Sequence, residues 1–477
     1  MDDSLFASAT ELATWVRQGR VSASELVDAH LARIARYNPL LNAVVTLDEE
    51  RARKRAQEAD AALARNETWG PLHGVPMTLK DGHSVAGMRT TAGFEPLADY
   101  VPREDGTVAA RLKAAGAIIV GKTNVPVLLG DFQTGNPIFG RTNNPWDLDR
   151  TPGGSSGGAG AALAAGLVPL EIGSDLSGSI RIPAHFCGVF GLKPTEHRVS
   201  LAGHIPEPPG SPRSTRVIAV IGPLARHVDD LSLALRVIAG PDGRDTDVPP
   251  VPLVPEVVQP SLKGLHIAWA PTFPNVPVSR DIRVAIEGLT NELAGLGCHV
   301  EESLPEVSFD EQRELLSRLV GFVMGAFQPN PGGTLPLSLA DYFTALDRRD
   351  YFIRAWEHFF TTWDVLLCPV AMTTAFSHRE TGTPLNVDSE TVGYWEEISH
   401  CTPFSLTGHP AVVIPLGQDR DGLPIGVQVV GQRWGEERLL AIAKVLAEVT
   451  GGYQKPPGYS LGEHNSSPIL SPLVRHT

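Results

Sequence analysis

Two glycine-rich stretches of the sequence carry serines that could act as nucleophiles. The first is "PGGSSGG", with Ser155 and Ser156, and the second is "GSDLSGSIRIPA", with Ser177 and Ser179. A third stretch, "GVPMTLKDG", ends an apolar run at Lys80. Cleaving an amide at neutral pH needs a nucleophilic oxygen, a base for its proton and donors for the oxyanion. The serines, the lysine and the glycine-rich turns are groups of these types.

Lys80 can serve as a base only in a dry environment, because desolvation lowers a lysine pKa towards neutrality. The apolar residues before it favour burial. A single lysine at the end of a strand is usually solvated, however. From the residues alone we therefore expect a solvated amine at position 80.

Two other motifs compete for these stretches. "GAIIVGKT", residues 116–123, matches the pattern of a phosphate-binding loop, but its variable positions form the strand itself, and Pro126 opposes a helix after Lys122. "GGSSG", residues 153–157, matches a nucleophile elbow with Ser155 as the nucleophile, but polar, turn-rich residues precede it where a strand is required. A purely structural role, as the entry to the helix "GGAGAALAAG", also fits this loop.

The hydrophobic pattern predicts the elements that position these residues. Residues 8–65 are predicted to be helical, with Ser22 and Glu25 spaced as a capping box. From about residue 70, apolar runs such as "AIIVGKT", "VIAVIGPL", "AVVIPLG" and "IGVQVVG" alternate with helical segments such as "VDDLSLALRVIAG". This alternation predicts an α/β fold with a sheet covered on both faces.

We predict one domain over residues 1–477. Within it, residues 1–65 form an N-terminal helical segment, and residues 241–395 form a proline-rich connector with an elaboration on the main sheet. Residues 455–477 are predicted to be a loosely held tail.

Charge and composition exclude several classes of partner. The chain has 40 Lys and Arg residues against 54 Asp and Glu residues, a formal net charge of −14 without a run of five like charges. This argues against nucleic acid or an anionic membrane as the main partner. The first residues lack the pattern of a secretory signal, and no run of about 18 apolar residues occurs, so we expect a cytoplasmic protein. The four widely spaced cysteines predict buried free thiols, and the scattered histidines predict neither a metal site nor another cofactor.

Four motifs, in order along the chain, resemble the amidase signature family: "GVPMTLKD", "PGGSSGG", "GSDLSGSIRIPAHFCGVFGLKPT" and "PFSLTGHPA". The resemblance covers about residues 10–450. It implies the amidase signature fold, a large mixed β-sheet covered on both faces by α-helices, and a Ser-cisSer-Lys triad. Carried over by motif, Ser179 would be the nucleophile, Lys80 the base, and Ser155, in a cis peptide, the relay between them.

The resemblance also implies an oxyanion hole in the turn "DLSGS", made by the backbone N–H groups of Leu176, Ser177, Gly178 and Ser179. Many family members have glycine where this chain has Ser177. If that position requires a positive φ, a serine there is strained. We expect Ser156, Asp175 and Arg181 to support the turn without reacting.

In related enzymes the stretch after "GKTNVP" lines the acyl site, which here supplies Leu128, Leu129, Gly130 and Phe132. Their neutral, mostly apolar character predicts a hydrophobic or aromatic neutral substrate, with ordinary packing as the alternative for each residue. The loop 201–216, with His204, Arg213 and Arg216, is compatible with a lid over the entrance or with a surface loop.

Within the family, the texture of the chain and its "DLSGS" turn favour a hydrolase of synthetic amides or carbamates, of the urethanase or aryl acylamidase type. The expected partner is then a small-molecule amide or carbamate, and the chain is a monomer or homodimer. One alternative is the amidase subunit of a tRNA-dependent amidotransferase, which would bring partner subunits and tRNA. The other is a non-catalytic scaffold.

Overall fold

The structure is a computed structural model that describes residues 3–205, 213, 215–254, 260–325 and 338–459. In these ranges the α-helices are α1 Ala9–Arg17, α2 Ala23–Leu41, α3 Glu49–Ala64, α4 Thr107–Ala114, α5 Gly157–Ala164, α6 Arg181–Cys187, α7 Val228–Ile238, α8 Arg280–Gly295, α9 Phe309–Gly325, α10 Leu339–Phe359, α11 Thr402–Thr407 and α12 Glu436–Thr450. Short 3₁₀ helices cover Asp3–Phe6, Glu95–Leu97, Val127–Leu129 and Tyr394–His400.

The strands of the same ranges are β1 Val44–Leu47, β2 Pro76–Lys80, β3 Ile118–Thr123, β4 Gly135–Asn136, β5 Gly140–Arg141, β6 Leu170–Asp175, β7 Phe190–Lys193, β8 Val220–Ala225, β9 His266–Trp269, β10 His299–Glu302, β11 Val365–Pro369, β12 Leu385–Val387, β13 Glu390–Val392, β14 Ala411–Gln418 and β15 Pro424–Val430. Eleven of them form one sheet in the order β1-β3-β2-β6-β8-β7-β14-β15-β11-β9-β10. The pairs β3–β2 and β2–β6 are parallel, whereas the middle of the sheet from β6 to β11 is antiparallel. The predicted mixed sheet is confirmed.

Both faces of this sheet are buried, as the apolar runs predicted. In β11, Leu366 and Cys368 pack into the core that α5 and α6 share. Their neighbours Val365 and Leu367 pack into the opposite core with α8 and α12. Because side chains alternate between the faces of a strand, a run that is apolar throughout must be covered on both sides.

The N-terminal region combines helices with one strand. Ser22 caps α2 through the predicted capping box, in which its hydroxyl accepts from the Glu25 N–H at 3.1 Å and the Glu25 carboxylate accepts from the Ser22 N–H at 2.8 Å. The prediction of a wholly helical stretch is wrong at β1, Val44–Leu47, which pairs with β3. Its four residues have too short a hydrophobic pattern to distinguish a strand from a helix.

Residues 241–395 contribute strands β9, β10 and β11 to the main sheet. The predicted division of the chain into segments stays a prediction. The predicted tail covers residues 455–477, of which 460–477 lie outside the described residues. All four cysteines are free and buried. None of the described helices is both long enough and apolar enough to cross a membrane.

Candidate active site

Lys80 is buried in the middle of the site. It ends β2, which lies between the parallel strands β3 and β6, and its side chain is 0% exposed. Its Nζ donates to Ser155 Oγ at 2.7 Å and to the carbonyl and hydroxyl of Ser174 at 3.2 and 3.1 Å. The expectation of a solvated amine is therefore wrong, because the neighbouring strands β3 and β6 enclose the end of β2. Local sequence does not reveal which strands will lie beside it.

Burial lowers the pKa of Lys80 to about 7, against the opposing attraction of Asp175 and Glu171. Glu171 is itself buried, and burial raises the pKa of its carboxyl to about 8. It accepts hydrogen bonds from the Thr78 hydroxyl and, at 2.7 Å, from the Thr123 hydroxyl. The lysine is thus poised between its charged and neutral forms near neutral pH.

Ser155 lies in the glycine loop that leads into α5. The peptide bond between Gly154 and Ser155 is cis. A side chain at Gly154 would come within 2.7 Å of the Asp131 carbonyl oxygen, so only glycine fits there. The next residue, Ser156, donates its N–H to the Ser179 carbonyl at 3.1 Å, which ties this loop to the second serine turn.

The second turn follows β6 and precedes α6. Asp175 holds it: its carboxylate accepts from the N–H groups of Gly178 at 2.7 Å and Ile180 at 3.0 Å. Arg181 pairs with the same carboxylate at 3.0 and 2.9 Å, and both side chains are fully buried. Although burial raises the pKa of the Asp175 carboxyl, the charge and hydrogen bonds of Arg181 outweigh it and keep that pKa well below its usual range.

This geometry changes the predicted set of oxyanion donors. The Gly178 N–H is already donated to Asp175. Among the described residues, the N–H groups of Leu176, Ser177 and Ser179 have no protein acceptor. Ser177 is not among the described residues with positive φ. In this turn Gly178 has the positive φ, 122°. The conditional strain at Ser177 therefore does not arise.

A cavity of about 820 Å³ joins these groups. Ser155, Ser179 and the turn between Asp175 and Ser179 line it. The four residues predicted to contact substrate line it as well: Leu128, Leu129, Gly130 and Phe132. Leu128 and Leu129 adopt positive φ values of 48° and 59°, an uncommon conformation for leucine that turns the chain at this wall.

Of the three candidate residues in the loop 201–216, one lines the cavity and two do not. His204 lines the cavity, and its ring lies edge-on to His83 with centroids 4.9 Å apart. Arg213 pairs with Asp245 at 2.6 Å, and Arg216 with Asp247 at 3.0 Å, so neither arginine lines the cavity. Residues 206–212 and 214 lie outside the described residues, and the choice between lid and surface loop stays open with them.

Sequence reasoning missed three residues of the site. Ser174 and Glu171 lie on β6 in "LEIGSD", where nothing local marks them as partners of a distant lysine. Trp395 also lines the cavity, from a 3₁₀ helix more than 200 residues after Ser179. The signal available for Trp395 was an aromatic pair, "YW", in an otherwise polar stretch. Within the described part of the chain, no group of three or more His, Cys, Asp or Glu side chains could hold a metal ion.

The Amidase family model matches residues 25–327 and 331–440, so the chain belongs to the amidase family. Its class of activity is hydrolysis at carbon–nitrogen bonds. A curated relative, a glutamyl-tRNA(Gln) amidotransferase subunit of Geobacillus thermodenitrificans, is 35% identical over 94% of this chain and 98% of its own length.

Solved structures of other amidases share the fold. A 6-aminohexanoate cyclic dimer hydrolase is 28% identical, with a TM-score of 0.80 over 95% of this chain and 99% of its own. A bacterial aryl acylamidase is 26% identical, with a TM-score of 0.82 over 93% of this chain and 96% of its own. The curated relatives favour the amidotransferase alternative over the urethanase hypothesis, whereas these two structures belong to hydrolases.

Proposed function

We propose that the chain is a serine hydrolase that cleaves the carbon–nitrogen bond of neutral, largely apolar amides or carbamates. One observation carries the proposal: a fully buried lysine, Lys80, donates to Ser155 at 2.7 Å on the wall of the cavity that Ser179 also lines. A buried amine with a pKa of about 7 suits a base that works at neutral pH.

In the first half-reaction, Ser179 Oγ attacks the carbonyl carbon of the substrate. Its proton passes to Ser155 Oγ, while the Ser155 proton passes to neutral Lys80. A hydroxyl can accept and donate at once, so Ser155 suits this relay. When the intermediate collapses, the carbon–nitrogen bond breaks and the same relay returns a proton to the leaving amine.

The N–H groups of Leu176, Ser177 and Ser179 are the candidates to stabilise the oxyanion of the intermediate. One such donor is typically worth about 3–4 kcal/mol of transition-state stabilisation. Asp175 and Arg181 act as positioning residues, because they fix the turn that presents these groups. In the second half-reaction, water activated through Ser155 and Lys80 attacks the group left on Ser179, an acyl group from an amide or an alkoxycarbonyl group from a carbamate, and frees the serine.

The cavity wall supports a neutral substrate. Buried or half-buried lining residues include Phe132, Ile182, Leu316 and Val323, whereas the lining residues Glu314 and Arg318 are exposed. The less exposed charged residues of the wall have partners: buried Asp175 pairs with Arg181, and half-buried Arg313 pairs with Asp310. With its charges exposed or paired, this largely apolar wall supports an uncharged substrate group.

The second candidate is a role as the amidase subunit of an amidotransferase, which the 35% identity to curated amidotransferase subunits supports. It uses the same triad to release ammonia from an amide donor, in a complex with partner chains. The two functions differ in substrate and partners and share the proposed chemistry at Ser179.

The test measures arylamine release from an acetanilide and a matched alkyl N-aryl carbamate, and ammonia release from glutamine, by the purified chain. Ser179→Ala is the test variant, and Ser232→Ala, on α7 and not lining the cavity, is the matched control. We expect arylamine release by wild type and Ser232→Ala and none by Ser179→Ala. The ratio of the two aryl substrates distinguishes amidase from urethanase.

The amidotransferase role would be favoured if glutamine were the only substrate turned over. It would also be favoured if partner chains co-purified and glutamine turnover appeared in their presence. No turnover of any of the three substrates, by the chain alone or with co-purified partner chains, would overturn both functions and leave a scaffold role. Release that persists in Ser179→Ala would overturn the assignment of the nucleophile.

A further inference from the structure

Trp395 is an exposed aromatic side chain on the wall of the candidate active site. It is 51% exposed and lines the same cavity as Ser155 and Ser179. Single exposed aromatic side chains are common on protein surfaces, but this indole lies on the wall of a cavity that the candidate catalytic serines also line. Contact with a bound group would remove its apolar surface from water.

The indole is held in one orientation by two other rings. Its ring lies edge-on to Phe132, with centroids 5.6 Å apart, and to Tyr394, with centroids 5.1 Å apart. Phe132 and Tyr394 stack on each other at 4.2 Å. Because Phe132 is 3% exposed, it supports the indole from within the core.

Polar anchors fix the 3₁₀ helix that carries Trp395. On one side the Tyr394 hydroxyl donates to Asp131 Oδ1 at 2.5 Å. On the other, the buried Glu397 carboxyl accepts from the N–H and hydroxyl of Thr373 at 3.0 and 2.8 Å. A surface that is rigid before the ligand arrives loses little conformational entropy on binding.

We infer that Trp395 is a specificity-determining residue, a flat platform for a planar aryl group of the substrate. This inference rests on the proposed function and specifies its substrate class as aryl amides or aryl carbamates. Aromatic pairs gain stabilisation beyond the area they bury, whereas a puckered ring of similar size gains the area term alone. The platform therefore separates flat rings from saturated ones.

The experiment measures binding by calorimetry to Ser179→Ala, so that no turnover is needed. Two matched pairs of probes are used: N-phenylacetamide with N-cyclohexylacetamide, and benzamide with cyclohexanecarboxamide. The first pair varies the amine side and the second the acyl side. In at least one pair we expect the phenyl probe to bind roughly two- to twelve-fold more tightly than its saturated partner.

Trp395→Ala, added to Ser179→Ala, should abolish that preference, and Trp395→Phe should retain part of it. Phe343→Ala is the matched control, because Phe343 is 57% exposed on α10 and does not line the cavity. It should leave the preference unchanged.

The inference is overturned if neither probe pair shows a phenyl preference, if no probe binds, or if the preference survives Trp395→Ala. Failure of the proposed function is a separate result. A protein that binds phenyl probes through Trp395 but hydrolyses nothing would retain the platform and lose the enzyme assignment. If wild type and Trp395→Ala both hydrolyse aryl and alkyl amides at equal rates, the enzyme assignment stands and only the platform is overturned.

Discussion

Lys80 and Lys122 lie on neighbouring parallel strands and share nearly the same burial, yet only one of them is suited to catalysis. Both side chains are 0% exposed, and burial lowers the pKa of Lys80 to about 7 and that of Lys122 to about 8. Lys80 Nζ meets the hydroxyl of Ser155. Lys122 Nζ meets the carbonyl of His83 and lies 3.9 Å from Asp81.

The difference lies in the partners. A hydroxyl can hand a proton to an amine, whereas a backbone carbonyl can only accept one. Neither Lys122 nor its two partners lines the cavity. A lowered pKa and full burial are therefore not enough to identify a base; a proton-carrying partner at the cavity wall is also needed.

The largest expected effect comes from removing the Lys80 amine. Lys80→Met should lower kcat/KM for an amide by about 10²–10⁴-fold, the usual contribution of a general base, and lower it less for a matched activated ester. An amine leaving group needs the returned proton, and an activated phenolate does not. Steady-state kinetics on both substrates measure the difference.

Lys122→Met is the control for that comparison. It should reduce the free energy of unfolding by about 1–3 kcal/mol, because it leaves the His83 carbonyl without its donor. It should keep the ratio of amide to ester rates of the wild type. Equal losses on amide and ester with Lys80→Met, or the selective amide loss with Lys122→Met, would break the contrast between the two lysines.

The pH dependence gives an intermediate effect. Only neutral Lys80 can accept a proton, so kcat/KM should fall as pH drops through about 7, roughly ten-fold per unit below that value, and level off above it. Lys122→Met should show the same fall in kcat/KM below about pH 7. A wild-type profile that is flat between pH 5 and 8, in folded protein, would contradict the role of Lys80.

The smallest effect is expected at Ser177. Because Gly178 carries the positive φ of the turn, Ser177→Gly relieves no strain and should change kcat/KM by less than about two-fold. Added freedom of the unfolded chain should lower the free energy of unfolding by about 0.4–1 kcal/mol. A rise in rate of ten-fold or more would show that serine distorts the turn after all, and kinetics with thermal unfolding would detect it.

Sequence patterns predicted the layered sheet because apolar runs such as those of β3, β14 and β15 have the length of a strand and are bounded by turn residues. Leu128, Phe132 and the serine turn line one cavity, but their meeting was implied by the family resemblance and not by any local pattern. The capping box at Ser22 was readable because capping depends on residues three apart. Such features are local in the chain.

What escaped prediction depends on contacts between distant segments. The burial of Lys80 is imposed by β3 and β6, and the loss of the Gly178 N–H to Asp175 is a matter of turn geometry. Trp395 reaches the cavity because Tyr394 is anchored to Asp131, 263 residues earlier in the chain. No periodicity in the sequence encodes these contacts.

The most direct test of the proposed triad asks which serine becomes acylated. The protein is incubated with p-nitrophenyl N,N-dimethylcarbamate, whose carbamoyl-enzyme is hydrolysed slowly, and the modified peptide is located by mass spectrometry. We predict one carbamoyl group per chain, on Ser179, formed more slowly in Lys80→Met and absent in Ser179→Ala. Carbamoylation of Ser155 or Ser177, or equal labelling of Ser179→Ala, would contradict the triad.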